Sequence, residues 1–172
     1  MVTQAKGGGS ASGEVDCFLY VQTKRAGQIK GEASTAGHVN DIGVRRWTWG
    51  VSAPTAIGST AATGRRQYKH LVIVKGLDSA STGLLSALAT NDVVKEARLT
   101  LRKAGGEALD YYKMTLREAR VTAVDLEVDE QGQPTEIVNF AYTKIEIEYK
   151  PQQSSGQGGG STSFNDEVAI QT

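Results

Sequence analysis

The chain has 172 residues, 39% of them hydrophobic and 22% charged, which is one domain's worth of sequence with apolar material for a real core. Nineteen Lys and Arg balance nineteen Asp and Glu, so the basic excess of a nucleic-acid binder is missing. The single cysteine excludes an intrachain disulfide, and the longest purely aliphatic run, Leu71 to Val74, is far short of the ~20 residues of a membrane-spanning helix.

Residues 1–13 contain almost nothing that could be buried and read as a flexible head. Met1 to Glu14 holds no apolar stretch of signal-peptide length. We therefore expect a protein made in the cytoplasm that, if exported, leaves without a signal peptide. A body over residues 14–151 follows, then a Gly/Ser/Gln linker at 152–163 and a recovering segment, FNDEVAIQT, at 164–172.

Within the body most apolar residues alternate with period two, the mark of strands. Phe18 to Val21 opens one, and Trp47, Trp49 and Val51 share a face of another. Tyr68 to Val74 is more continuously apolar, as a strand covered on both sides would be. One segment asks for a helix: Asp78 or Ser79 can cap it, Leu84, Leu85 and Leu88 recur at helical spacing, and Asn91-Asp92 breaks it. Beyond it, Ala97, Leu99 and Leu101 form a strand face that turns at Ala104-Gly105-Gly106 and returns as Tyr112, Met114 and Leu116.

The next pair carries a slip. Inward parity is odd at Ala119, Val121 and Ala123, then even at Val124, Leu126 and Val128. Across the turn at Glu130 to Pro134 the partner reverses this, with Val138, Phe140 and Tyr142 before Ile145, Ile147 and Tyr149. Matching slips in neighbouring strands predict a long bent hairpin wrapping a barrel corner; the alternative is a face that changes midway from core to partner contact. The fold class is mainly β: a two-sheet antiparallel barrel or sandwich with one short flanking α-helix.

Catalytic fingerprints are absent. No glycine run fits a dinucleotide or phosphate loop, and no GxSxG elbow occurs. His38 and His70, with one cysteine, would need carboxylates to complete a zinc site, so both read as structural or solvated. Glu146 and Glu148 suit a solvated strand face better than acid/base chemistry. Trp47 and Trp49 suit core packing or a subunit interface better than ligand stacking, and Cys17 reads as a small buried hydrophobe. We expect no enzyme, no cofactor and no metal. Charge is divided, however: Lys95 to Arg120 holds seven basic and four acidic residues, and Val121 to Lys150 two basic and seven acidic. Such zones either pair across one sheet or meet head to tail between copies.

Read in order, several segments resemble the haemolysin-coregulated protein family, the tube subunit of the bacterial type VI secretion system. They are CFLYVQ, GQIKGEA, the WTWG of DIGVRRWTWGVS, VKGLDSAS, ARLTLRKAGGE, YYKMTLREARVTAV and EIVNFAYTKIEIEYKPQ, spanning Cys17 to Gln152. The resemblance implies a β-barrel subunit that forms homo-hexameric rings. Such rings stack into a tube driven out by a sheath behind a spike, with small effector proteins in the lumen and no membrane insertion. The stretch from Ser52 to Gly64 falls where that family has a loop contacting the next ring, with Pro54 and Ile57 in it. Lys30, Glu32, Lys75, Asp78, Arg102 and Lys103 sit in the shared motifs and join them as candidates for ring stacking or subunit contact. The segment at 164–172 resembles the family's terminal strand. Two departures are the longer head and His70 in place of a common acidic residue. A phage-derived contractile tube and a monomeric β-barrel ligand-binding module remain the alternatives.

Overall fold

The computed structural model describes residues 16–61, 64–103, 109–151 and 160–168. The head, the Ala104-Gly105-Gly106 turn, most of the linker and the last four residues lie outside this set.

Short strands crowd the first half: β1 (Asp16–Thr23), β2 (Gly27–Gln28), β3 (Ile42–Gly43), β4 (Arg46–Thr48), β5 (Val51–Ser52), β6 (Gln67–Tyr68) and β7 (Leu71–Lys75). Helix α1 (Ser81–Ala89) separates them from β8 (Val94–Arg102), β9 (Asp110–Val128), β10 (Pro134–Ala141), β11 (Lys144–Tyr149) and β12 (Thr162–Glu167). All pairings are antiparallel. β1 carries β2 and β3 on one side and β8 on the other, β8 pairs with the first half of β9, and β11 and β12 complete that sheet. A second sheet runs from the latter half of β9 through β10 and β7 to β4.

The hairpin predicted between β8 and β9 has the register its alternation demands. Ala97 faces Leu116, Leu99 faces Met114 and Leu101 faces Tyr112, and the first two pairs are buried. β9 is a single strand of 19 residues shared by both sheets. It bends at Glu118, which has φ 47, while β10 and β11 run along it as one line broken at Tyr142-Thr143. Thr143 closes the corner, its N–H and hydroxyl each donating to Arg117 O at 3.3 Å. Phe140 faces Val121 and Asn139 faces Ala123, leaving Thr122 as the extra residue of a bulge. The predicted parity slip is therefore real and is a corner. Its outcome is mixed: Val124 packs on the core, but Leu126 and Val128 are exposed.

Between the sheets lies one cluster built from Leu19, Val21, Ile42, Leu71, Ile73, Leu99, Met114, Leu116, Val138 and Phe140. On the side opposite the β9 corner, the segment 42–48 crosses from β1 to β7, with Val44 N–H bonding Cys17 O and Arg45 N–H bonding Val74 O. The two sheets are thus stitched at both flanks, without a continuous ladder at the second.

Three local expectations are corrected. The helix cap is Ala80, with no side-chain bond; Asp78 instead accepts the Ala80 N–H in a turn just before it and is drawn to Lys75. Tyr68 to Val74 is not one strand, because Lys69-His70 separates β6 from β7 and leaves His70 exposed. In β7 only Leu71, Ile73 and Lys75 are fully enclosed, so burial alternates. Cys17 is buried as predicted, and that burial pushes its thiol up to about 12.

Candidate functional site

The segment between β5 and β6 forms an arm. Its own ladder is small, Val51 with Tyr68 and Ser52 with Gln67. Small residues and Gly58, at φ 78, allow the chain to turn, and Ser59 N–H donates to Ala56 O at 3.1 Å. Ile57 stands at this turn with its side chain fully exposed, the most exposed large hydrophobic among the described residues. Pro54 is half-buried at the side of Gly64, where an added Cβ would come within 3.1 Å of the proline ring.

The base of the arm is anchored. Lys69 N–H donates to Gly50 O at 2.9 Å. Trp49 Nε1 donates to the Tyr142 hydroxyl at 2.5 Å, and that hydroxyl donates to Lys69 O at 2.8 Å. Tyr68 packs beside both rings, with centroids 6.3 Å from Trp49 and 6.4 Å from Tyr142. Trp47 stacks on Tyr112 at 6.0 Å. Both tryptophans thus take the packing role rather than an exposed stacking one.

A further anchor comes from the far end of the chain. Asp166 on β12 accepts from Arg66 Nε at 3.0 Å and from Arg66 Nη2 at 3.3 Å, and also from the Tyr68 hydroxyl. The Tyr68 hydrogen bond, aided by Arg66, holds the Asp166 carboxyl below the usual carboxylate range despite some burial. Nothing in the sequence connects positions 100 residues apart, so this contact was illegible before the fold was known.

The motif residues divide into two groups. Lys30 and Glu32 are exposed on either side of Gly31, which is buried and has no room for a side chain, since the Asp41 carbonyl would lie 2.5 Å from any Cβ there. Lys103 is exposed. Lys75 and Arg102, grouped above with the contact candidates, are instead turned inward. Lys75 has no exposed surface; its ammonium donates to Gly76 O at 2.9 Å and Ser81 Oγ at 3.3 Å. It also pairs with Asp78 at 2.8 Å and Glu136 at 3.5 Å. Lys75 therefore ties β7 and β10 to the turn before α1, and Asp78 is its partner rather than a free surface charge. A buried lysine with this many partners is an internal strut.

Arg102 donates to Asp110 Oδ1 at 2.7 Å and to Ala36 O at 2.8 Å. Asp110 also meets His38 Nε2 at 3.1 Å, while His38 Nδ1 meets Asp41 at 2.8 Å and the ring stacks on Phe18 at 4.3 Å. His38 is structural, as expected, but its four-residue network was missed because its polar neighbours suggested solvent. Partial burial raises Asp110, yet the hydrogen bonds and charges of Arg102 and His38 outweigh it and hold the carboxyl below its ordinary value.

Beside this network a polar hollow of about 470 Å³ is bounded by Tyr20, Arg98, Thr100 and Lys113. Its groups are largely engaged with one another, with Arg98 over the Tyr20 ring at 4.7 Å and paired with Glu96 at 3.2 Å. No group of three or more His, Cys, Asp or Glu suited to a metal occurs among the described residues, and none of their helices is long and apolar enough to cross a membrane.

The family model for the type VI secretion system effector Hcp matches residues 18–149. The chain belongs to the Hcp family. Protein hcp1 of Pseudomonas aeruginosa is 29% identical over 150 residues, covering 85% of this chain and 90% of the relative. Among solved structures, Hcp1 of E. coli EAEC 042 superposes with a TM-score of 0.74 at 21% identity, covering 90% of this chain and 99% of that one. Secreted protein Hcp3 of Pseudomonas aeruginosa gives 0.69 at 20% identity, covering 91% and 99%. At these identities the structures establish the Hcp fold, and the family model establishes a type VI secretion component.

Proposed function

We propose that this Hcp chain is a tube subunit, assembling into homo-hexameric rings that stack into the inner tube of the type VI apparatus. Sheath contraction would drive that tube and its spike outward, with small effector proteins in the lumen, so the chain leaves the cell without a signal peptide. The observation that carries this reading is the arm. A fully exposed isoleucine at the turn of a hairpin with an aromatic, hydrogen-bonded base gives a held anchor that a copy could place against its neighbour. Lys30, Glu32, Pro54 and Lys103 are assigned to contacts between copies on the same reading.

The test combines native mass and electron microscopy of purified protein. A particle of six 18.3 kDa subunits with annular views is expected. Ile57→Asp should keep single rings and lose stacked ones. A monomer at high concentration would overturn the ring, and undiminished stacking of the variant would overturn the role of the arm.

A further inference from the structure

We infer that β12 is a strap whose Asp166 fixes the pose of the β5–β6 arm, so that docking of the C-terminal strand governs whether the arm is presented for stacking. The consequence for stacking rests on the proposed tube function; the strap itself rests on geometry alone.

The arm has little of its own to hold it. A two-stranded ribbon is marginal in water, and this one has two residue pairs. Its orientation is therefore set at its base, where the Trp49–Tyr142–Lys69 bonds fix one side. The other side, where Tyr68 packs beside the Trp49 and Tyr142 rings, is tied to β12 through the Arg66 guanidinium and the Tyr68 hydroxyl on the single Asp166 carboxylate. β12 in turn is an edge strand among the described residues, paired there with β11 alone through six residues from Thr162 to Glu167. Asp166 lies opposite Ile145, whose side chain is buried, which directs the carboxylate toward the inner side and the arm rather than toward the solvated face. Two of the three guanidinium nitrogens reach the carboxylate, one to each oxygen, giving the contact an orientation that a single point contact lacks. An edge strand held by one neighbouring strand among the described residues thus adds the contact that directs an arm whose own ladder has two residue pairs.

The experiment uses the full chain and three proteins: the parent, Asp166→Asn, and the double variant Arg66→Gln with Tyr68→Phe. Amide hydrogen exchange is followed over the β5, β6 and β12 ladders. The double variant leaves β12 intact and should speed exchange of the β5 and β6 amides about threefold, the size expected for a lost exposed ion pair with its hydrogen bond. Asp166→Asn should do the same, and both should raise the protein concentration at which rings stack while leaving ring mass unchanged. Parental exchange rates in the arm of the double variant would overturn the strap. If the parent forms no rings, the tube reading falls, whereas the exchange comparison still decides the strap.

Discussion

Lys75 is the most enclosed charge among the described residues, and its setting decides what its loss would do. Removing one member of a buried charged cluster strands the others, typically at about 3–5 kcal/mol. Lys75→Met should therefore lower the unfolding free energy measured by urea titration by that order, and adding Glu136→Leu should recover part of it, because Glu136 Oε2 has no hydrogen-bond partner among the described residues. Gly31→Ala makes a second case: its Cβ would meet Asp41 backbone at 2.5 Å, so overpacking of about 1–3 kcal/mol is expected in the same assay. Asp110 gives a pH prediction. Its carboxyl is held low in the folded chain, so the unfolded chain takes up that proton first as acid is added. The stability it contributes is complete above about pH 4 and lost as pH falls through its folded value. Asp110→Asn should flatten the acid limb of a stability-against-pH curve, and an unchanged limb would refute the assignment. The sequence marked Lys75, Asp78 and Arg102 as important through their motifs, yet it could not tell strut from surface, because burial depends on what the other sheet brings over them.

Elements were more legible. Alternation read from Ala97, Leu99 and Leu101 fixed a hairpin whose register is now seen, since a one-residue error would have turned those side chains into solvent. The parity slip likewise located the corner of β9 within a few residues of Glu118 and Thr122. Deleting Thr122 should abolish the bulge while leaving Val121 and Val124 two residues apart on one face, so the variant should keep its near-UV circular dichroism and cooperative unfolding; loss of either would refute Thr122 as the extra residue. Leu84, buried where α1 meets the core, should cost about 2–5 kcal/mol on truncation to Ala, whereas exposed Leu85 should cost little. Very short strands escaped the pattern: β2, β3, β5 and β6 have two residues each, too few for any period to register. The break at Lys69-His70 was lost among apolar neighbours for the same reason.

For the whole molecule, the two charge zones are partly reconciled inside the subunit. Arg117 reaches Glu146 at 3.9 Å and Lys144 reaches Glu118 at 3.9 Å where β9 meets β11. The β9–β10 tip is different: Asp125, Glu127 and Glu130 are exposed and in no ion pair among the described residues. That is the surface on which head-to-tail contact between copies would act, and such contact would weaken with salt. The long shared strand has one more consequence, which belongs to synthesis rather than to the finished particle. β1 and β7 find their main partners in β8 and β10, on the far side of α1, so the first half of the chain leaves the ribosome with its apolar strands unmatched. Until β8 emerges β1 lacks its main partner, and until β9 and β10 emerge β7 lacks its own and the two sheets share no strand, so a nascent subunit spends that interval exposed to aggregation or to chaperone capture.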